Sequence, residues 1–327
     1  MQRRSLILTA AATAATAALP SALLAQGSAW PQRPLRMVIA YPAGGTTDIA
    51  GRLLAERLGT RLGQTVVVDN RGGAGGTVGA AAVVRAEPDG YTLLMAASPE
   101  VSIAPTTMKA LPYDPVADLA PISLVGQVPF LLVVNPQLPV QTLQEFIAYA
   151  RANPGKLNYS SFGNNTSNHL NGELFKAMGK FDAVHVPYKG SGPSITDLIG
   201  GQVQYTLDAP PAVLEHVRAG RLRALAVATP KRLATAPNVP TFAEGGLPDF
   251  TGGTWFGLLA PAKTPPAVIE RLNRETVSLL ASEELVKAFN DRNIVPSGST
   301  PDAFGRFIRA EVGKWKELAG KVGIVAE

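Results

Sequence analysis

Short runs of β-branched and apolar residues alternate with stretches of helical periodicity along most of this chain, and no other feature restricts the fold as strongly. Such alternation predicts a mostly parallel α/β fold, because parallel neighbours need a crossover connection that is usually a helix. Strands are expected at residues 36–41, 65–68, 91–96, 130–134, 157–160, 183–186, 202–207 and 223–228. After the first of these, Ile49, Leu53, Leu54, Leu58 and Leu62 form one helical stripe. Pro265-Pro266 opens another helix, with Val268, Leu272, Thr276 and Leu279 on one side. Thr300-Pro301 reads as an N-cap followed by proline at the first helical position, leading Phe304, Phe307, Ile308 and Trp315 inward.

A chain of 327 residues has room for two domains. With 46% hydrophobic and 17% charged residues it can fill their cores, which excludes a disordered chain. No repeat or low-complexity linker divides it, so two domains require the chain to cross between them more than once. Crossings are expected near residues 126–129 and 251–255. The absence of cysteine excludes disulfides, zinc ribbons, iron–sulfur clusters, thiol catalysis and a lipoprotein anchor. The formal charge is +5, of which Arg3 and Arg4 supply two, and no basic run is long enough to follow a phosphate backbone. A nucleic-acid partner is therefore not expected.

Residues 1–29 read as an export signal: Arg3-Arg4, an Ala-rich apolar stretch, then small residues, with cleavage after Ala25 or Ala29. Alanine and threonine dominate the stretch and Pro20 interrupts it, which is too weak for a membrane span of ~20 strongly apolar residues. Sec and Tat export both fit the paired arginines. The mature chain is expected to be soluble and to work outside the cytoplasm.

The turn after the first strand carries the most chemistry: Tyr41-Pro42-Ala43-Gly44-Gly45-Thr46-Thr47-Asp48. Its glycines permit a sharp bend and close approach of a ligand. Thr46, Thr47 and Asp48 begin a helix, whose first amides lack internal acceptors and favour an anion. Asp48 reads equally well as the N-cap, which would fix the direction of those amides. A second turn, Ser160-Ser161-Phe162-Gly163-Asn164-Asn165-Thr166-Ser167-Asn168-His169, offers hydroxyls, amides and another helix start, although an ordinary solvated loop has the same composition. Neither turn contains Lys or Arg, so main-chain amides would have to supply the attraction. A third turn is Val186-Pro187-Tyr188-Lys189-Gly190-Ser191-Gly192-Pro193, and a fourth is Asp208-Ala209-Pro210-Pro211. Asp208 either caps the following helix or faces a cleft.

The run from Asn70-Arg71 to Gly79 suggests a dinucleotide fingerprint but fails in register, because pairing Gly73 with Gly75 leaves Val78 at the last glycine position. It is expected to let a helix start pack tightly or to shape a cleft wall. No Gly-Lys-Ser/Thr occurs, so there is no P-loop. The histidines, His169, His185 and His216, have no zincin spacing, and Ser160 and Ser161 lack a nucleophile elbow. No catalytic residue, metal site or cofactor is expected, and His185 reads as a hydrogen-bonded core residue.

In order and spacing the chain resembles the receptors of tripartite tricarboxylate transporters, the TctC or Bug-type family. The landmarks are Gly44-Gly45-Thr46-Thr47-Asp48, Asn70-Arg71 through Gly79, Asp89-Gly90-Tyr91-Thr92-Leu93-Leu94 and Leu111-Pro112-Tyr113-Asp114. They continue through Asn153-Pro154-Gly155-Lys156-Leu157-Asn158-Tyr159, His169-Leu170, Glu173-Leu174-Phe175, His185-Val186-Pro187-Tyr188-Lys189-Gly190 and Asp197-Leu198. Arg218-Ala219-Gly220, Leu222-Arg223-Ala224-Leu225-Ala226-Val227, Pro240-Thr241 and Trp255-Phe256-Gly257 complete the set. The resemblance implies a type II periplasmic-binding fold of two α/β lobes joined by two crossovers, closing like a flytrap on a small organic carboxylate. The first lobe would take residues 30–128 and 255–327, and the second 129–254.

Carried over by position, the ligand site comprises Tyr41, Ala43, Gly44, Gly45, Thr46, Thr47 and Asp48 facing Ser161, Phe162, Gly163, Asn164, Asn165 and Thr166, often through ordered water. Asp208 joins it as a cleft residue and Ser98 as a weaker candidate. Asn164-Asn165 and the segment from Val101 to Ala104 depart from the family pattern and are expected to alter the pocket walls. A dicarboxylate or aromatic acid is the expected ligand, with membrane transporter subunits as partners and a monomer as the working state. An exported two-lobed hydrolase, or a carboxylate sensor feeding a signalling system, are the alternative readings.

Overall fold

The computed structural model describes residues 30–322 and residue 326. The expected export signal lies outside the described residues. The chain runs β1 (Leu35–Ile39), α1 (Thr46–Leu62), β2 (Val66–Asn70), α2 (Thr77–Val84) and β3 (Thr92–Ala97), then a π-helical turn (Pro99–Ile103), α3 (Ala104–Thr107) and β4 (Leu119–Pro129). A second set follows: β5 (Leu131–Val134), α4 (Leu143–Ala152), β6 (Asn158–Ser161), α5 (Ser167–Gly179), β7 (Val184–Pro187), α6 (Ser191–Ile199), β8 (Tyr205–Asp208), α7 (Pro210–Arg218) and β9 (Arg223–Val227). The chain then returns through β10 (Gly253–Pro261), α8 (Pro266–Leu280), α9 (Glu283–Asn290), β11 (Val295–Pro296) and α10 (Pro301–Val322).

These elements form two lobes, each built on one sheet, with strand orders β11-β4-β10-β3-β1-β2 and β7-β6-β8-β5-β9. In each sheet an interior strand is buried on two faces. In β1, Leu35, Met37 and Ile39 pack beneath α1 and α8, while Val38 joins Ala80, Leu94 and Phe304 on the opposite side. In β5, Leu132 and Val134 face an aromatic core of Phe146, Phe175, Tyr205 and Phe242, and Leu131 and Val133 face α6 and α7. The period of two residues along a strand produces both divisions. Thr300 caps α10, its Oγ1 accepting the Ala303 N–H at 3.2 Å, and Phe304, Ile308 and Trp315 are buried below it.

The sheets are mixed, which corrects the expectation of a mostly parallel arrangement. Parallel pairing is confined to β2-β1-β3 and β7-β6-β8, and the remaining neighbours run antiparallel. In the first sheet the difference comes from β4, β10 and β11, which the sequence patterns did not mark. In the second it comes from β5, expected at residues 130–134, which runs antiparallel to both β8 and β9. Pro121, Gly126 and Pro129 interrupt β4, and Gly253, Gly257 and Pro261 interrupt β10; the strands tolerate them at their ends and at register shifts around Phe256/Gly257 and Leu258/Leu259.

Those two strands also carry the chain between lobes, at residues 129–131 outward and 251–253 on return. They run side by side, with the Phe130 N–H donating to the Gly252 carbonyl at 3.2 Å. Asn171 of α5 pins the return strand: its Nδ2 donates to the Gly253 carbonyl at 3.0 Å, and its Oδ1 accepts the Gly253 N–H at 3.3 Å. A cluster of Ile103, Leu170, Trp315 and Leu318 adds an apolar contact between the π-helical turn, α5 and α10.

Gly253 has φ +154°, and a Cβ there would lie 2.5 Å from the Val128 carbonyl oxygen. Gly253→Ala is expected to destabilise the protein by about 2–3 kcal/mol through this backbone clash. Gly313→Ala, in α10 with nothing within 4 Å of the added Cβ, is expected to be neutral or to stabilise by up to ~1 kcal/mol. Urea unfolding of both variants checks the pair. Equal stability would show that the crossing tolerates a side chain.

Candidate ligand-binding cleft

Two adjoining hollows lie between the lobes, sharing Tyr41, Pro99, Phe162 and Ser167 in their walls. The larger, about 640 Å³, is bounded by Ala74, Gly75, Thr77, Ala104, Thr107 and Met108 on the first lobe and by Gly163, Asn164, Asn165, Thr166, Gly190 and Ser191 on the second. The smaller, about 370 Å³, holds Pro42, Ala43, Gly45, Thr46 and Thr47 against an apolar wall that includes Val128, Phe130 and Phe256. Of the residues chosen from sequence, Tyr41, Ala43, Gly45, Thr46, Thr47, Phe162, Gly163, Asn164, Asn165 and Thr166 line one or other hollow. Gly44, Asp48, Ser98, Ser161 and Asp208 belong to neither lining.

None of the residues lining either hollow is Lys, Arg, Asp or Glu. What converges on the cleft instead is helix starts: Thr46 and Thr47 begin α1, Thr77 begins α2, Ser167 begins α5, Ser191 begins α6, and Ala209 is the N-cap of α7. Their first amides have no intrahelical acceptor, and each helix dipole directs its positive end toward the cleft. Gly76, with φ +96°, lets the turn before α2 approach this closely, since a Cβ there would meet Glu100 Oε2 at 2.7 Å. A Cβ at Gly79 would meet Ala40 Cα at 2.8 Å. The glycine run thus both packs a helix start and shapes the cleft wall.

Asp48 is not the N-cap of α1. Gly45 holds that position in an extended conformation, and Asp48, on the first turn, reaches back to accept the Gly44 N–H at 2.8 Å. Arg52 Nε donates to it at 2.9 Å and Asn70 Nδ2 at 2.8 Å, while Asn70 Nδ2 also donates to the Tyr41 carbonyl at 3.0 Å. Burial pushes the Asp48 carboxyl up, but the bonds from Arg52, Gly44 and Asn70 outweigh it and hold the carboxyl below its ordinary range. The Gly44 amide is consumed by this brace, and half-buried Thr46 and buried Thr47 hold the helix-start amides of α1 at the wall of the smaller hollow.

The second-lobe turn is braced in a similar way. Asn168 Oδ1 accepts the Phe162 N–H at 3.1 Å, Thr166 Oγ1 donates to the Gly163 carbonyl at 2.7 Å, and His169 Nδ1 accepts the Asn165 N–H at 3.1 Å. Asn165 takes φ +60°, a conformation asparagine tolerates better than most residues. His169 stacks on His185 with ring centroids 3.9 Å apart, and His185 Nε2 lies 2.6 Å from Ser161 Oγ. Ser161 donates its own proton to the Gly163 carbonyl at 3.0 Å, so the imidazole is the donor in that pair. Burial, with His169 and Lys176 nearby, pushes His185 down to about 3. Ser161 is buried and no carboxylate bonds to His185 among the described residues, so this pair has the form of a loop support rather than of a nucleophile and its base.

Ser98 and Asp208 also stand behind the wall. Ser98 Oγ lies 2.9 Å from Oγ1 of Thr254, which does line the cleft. Asp208 is not a helix cap, because Ala209 takes that position ahead of Pro210; its Oδ1 accepts the Ala209 N–H at 2.6 Å and its Oδ2 the Ser191 hydroxyl at 2.6 Å. Sequence reasoning missed Glu100. It is fully buried, accepting the Tyr41 hydroxyl at 2.7 Å and the Ala97 N–H at 2.6 Å.

Residues 50–324 match the family described as the tripartite tricarboxylate transporter family receptor. The chain belongs to that family. It is 41% identical over 295 residues to Protein BugT of Bordetella pertussis, covering 90% of each chain. A solved Rhodopseudomonas palustris structure described as Rpa4515 with adipate is 35% identical, with TM-score 0.80, over 91% of this chain and 100% of that one. MatC from Rhodopseudomonas palustris, described with bound malate, is 30% identical, with TM-score 0.74, over 88% and 99%. This tripartite tricarboxylate receptor is accordingly a periplasmic solute-binding protein with the two-lobed α/β fold of its relatives.

The Asp48 brace has a measurable consequence. A carboxyl whose folded-state value is lowered stabilises the protein above its unfolded value and loses that contribution as pH falls through the folded value. Wild-type protein is expected to lose stability below the ordinary aspartate value of 3.8 in part through Asp48, and Asp48→Asn to lack that component. At neutral pH the variant is expected to be less stable by about 1–3 kcal/mol. Chemical unfolding at neutral and acidic pH checks both arms. Parallel wild-type and variant profiles would remove the charge from the account.

Proposed function

We propose that the cleft captures a small organic carboxylate, a dicarboxylate or an aromatic acid, for delivery to membrane subunits of a tripartite tricarboxylate transporter. One carboxylate sits on the amides of Thr46 and Thr47 at the start of α1, and the body extends past Phe162 toward the turn at Asn164, Asn165 and Thr166. The observation carrying this reading is the convergence of helix starts on hollows lined by no charged side chain. Relatives described with adipate and with malate support the ligand class. The receptor acts as a monomer without turnover, its first lobe comprising residues 30–128 and 255–327 and its second residues 129–254, after an export signal is cleaved.

Magnitudes allow such a site to work without arginine. An anion gains ~0.3–2 kcal/mol at a helix start, and each hydrogen bond to a charged group contributes ~1.5–3 kcal/mol. Two helix starts with four such bonds supply about 10 kcal/mol before ordering costs. A dissociation constant of ~1 μM requires about 8 kcal/mol. Contact between the ligand body and Phe130, Phe162 and Phe256 offsets part of the cost of lobe closure, and bridging water can replace a direct bond.

Thr46 stands at the first helical position of α1, after Gly45 with φ −74° and ψ 166°, a geometry that accepts proline. Thr46→Pro removes one amide donor while preserving the helix, and Thr46→Ala removes only the hydroxyl. Calorimetric titration with malate, adipate, other C4–C6 diacids and aromatic acids is expected to find at least one binder. Its affinity should fall about 10- to 100-fold in Thr46→Pro and stay within about 3-fold in Thr46→Ala. Heat only from neutral sugars or cations would end the carboxylate reading. Equal losses in the two variants would transfer the contact from the amide to the side chain.

Closure should also be visible in solution scattering. The radius of gyration is expected to shrink when a saturating acid is added, and the acid should be recovered unchanged after prolonged incubation. Superimposable profiles would argue against closure as the signal to the membrane partner, and chemical conversion of the acid would restore the hydrolase reading.

A further inference from the structure

Each lobe places one buried carboxyl directly behind a hydroxyl of the larger hollow. On the first lobe, Tyr41 donates to Glu100 Oε2 at 2.7 Å, and Glu100 Oε1 accepts the Ala97 N–H at 2.6 Å. On the second, Ser191 donates to Asp208 Oδ2 at 2.6 Å, and Asp208 Oδ1 accepts the Ala209 N–H. Glu100 is 0% and Asp208 1% exposed, whereas Tyr41 and Ser191 both border the hollow. Among the described residues neither carboxyl makes an ion pair. The titratable groups facing Glu100 are Tyr41 from the end of β1 and Tyr113, whose hydroxyl donates to the Glu100 carbonyl from the segment before β4. Asp208 meets Ser191 of α6 and the amide opening α7, with no charged neighbour acting on it.

We propose that Glu100 and Asp208 are proton relays, which take up protons when a dicarboxylate enters the cleft and thereby turn Tyr41 and Ser191 into donors for the ligand. The proposal rests on the carboxylate reading above. While a relay carboxyl is ionised it draws the hydroxyl proton inward, and the hydroxyl oxygen offers the hollow only lone pairs. That polarity opposes a carboxylate, and the buried negative charge opposes it further. When a proton from solvent binds Glu100 Oε2, the acid O–H donates back to the Tyr41 oxygen. The tyrosine proton is then released from Glu100 and turns to the cleft side, where the Gly75 carbonyl lies 3.3 Å away and a ligand oxygen competes for it. The same exchange at Asp208 Oδ2 frees the Ser191 proton. One proton enters each relay, no covalent bond between heavy atoms changes, and no redox partner is needed.

Burial has already pushed both carboxyls up to about 7, against the pull of their hydrogen bonds, so protonation at neutral pH requires only a modest further push. An approaching anion raises a neighbouring carboxyl and supplies that push. By linkage, a group whose value rises on binding takes up protons, and affinity then falls as pH climbs above its free value. Dicarboxylate affinity is therefore greatest below about pH 7 and weakens above it, by up to ~10-fold per pH unit for each relay engaged. A monocarboxylate that reaches only one relay should show about half that slope.

Calorimetric titration of the acid panel at mildly alkaline pH, in buffers with different heats of ionisation, counts the protons. A bound diacid is expected to bring about one to two protons with it, and Glu100→Gln and Asp208→Asn each to reduce the count by about one. Each substitution should also flatten the pH dependence of affinity, an effect that mere loss of packing does not produce. If a variant fails to fold, the wild-type count decides alone. Binding with identical heats in all buffers overturns the relays and leaves the carboxylate reading standing. Absence of binding by any acid overturns both.

Discussion

The orientation of the parallel strands governs the rest of this protein. In each lobe the parallel trio ends at the cleft, so every strand-to-helix turn there delivers the first amides of the next helix to the same edge. Ligand sites of open α/β sheets lie at this edge for that reason. Here the effect is doubled, because two lobes face each other across the opening. Helix starts from α1 and α2 meet those from α5, α6 and α7, and their partial positive charges add without an arginine or lysine in the lining. Fixed peptide dipoles have a further advantage under the proposed opening and closing of the lobes. They carry no long side chain to be ordered at each cycle and need no counter-ion when the site is empty.

The antiparallel strands do the complementary work. β4 and β10 leave and re-enter the first sheet side by side, and their pairing continues to the point where the chain passes into the second lobe. A pair of adjacent crossings confines relative motion of the lobes to a bend or twist about one line. Gly253 allows the strands to meet closely there, and Asn171 ties the return strand to α5, which also carries Ser167 into the cleft. The element that positions the second-lobe turn is thus bonded to the hinge itself. The start of α5 and the backbone at Gly253 belong to one bonded unit.

Most of the cleft lining is legible because it lies where β-branched runs give way to glycine, serine and threonine. That chemistry is local, and it identified the turns after β1, β6 and β7 without knowledge of the fold. The hinge strands were not legible, since Pro121, Gly126 and Pro129 in β4 and Gly253 and Gly257 in β10 break the local pattern that marks a strand. Their stability comes from pairing with partners more than a hundred residues away. Asp48 reads from sequence as either a cap or a site residue because its type favours both, whereas Gly45 holds the cap and leaves the carboxylate to accept from Gly44, Arg52 and Asn70. Glu100 was invisible for a different reason. An acid in Pro99-Glu100-Val101-Ser102-Ile103 reads as a solvated first turn, and only the approach of Gly76 and Tyr41 reveals that it is sealed.

The two kinds of acid near the cleft show how position decides the role of one functional group. Asp48 has an arginine and an asparagine as donors, so it stays charged and serves as a fixed acceptor that orients the first turn. Glu100 and Asp208 have only a hydroxyl and one amide each, and burial is not offset by a cation. Their charge is therefore conditional on what occupies the hollow in front of them. A cleft built only from amide dipoles would favour any anion that fits. Hydroxyls whose polarity depends on a hidden proton add a second criterion, because they oppose a carboxylate until a proton accompanies it. Phe130, Phe162 and Phe256 add a third, an apolar wall that under the proposed reading favours an acid with an apolar body. Charge, proton count and shape are thus read by three different sets of residues, and none of them requires a cationic side chain.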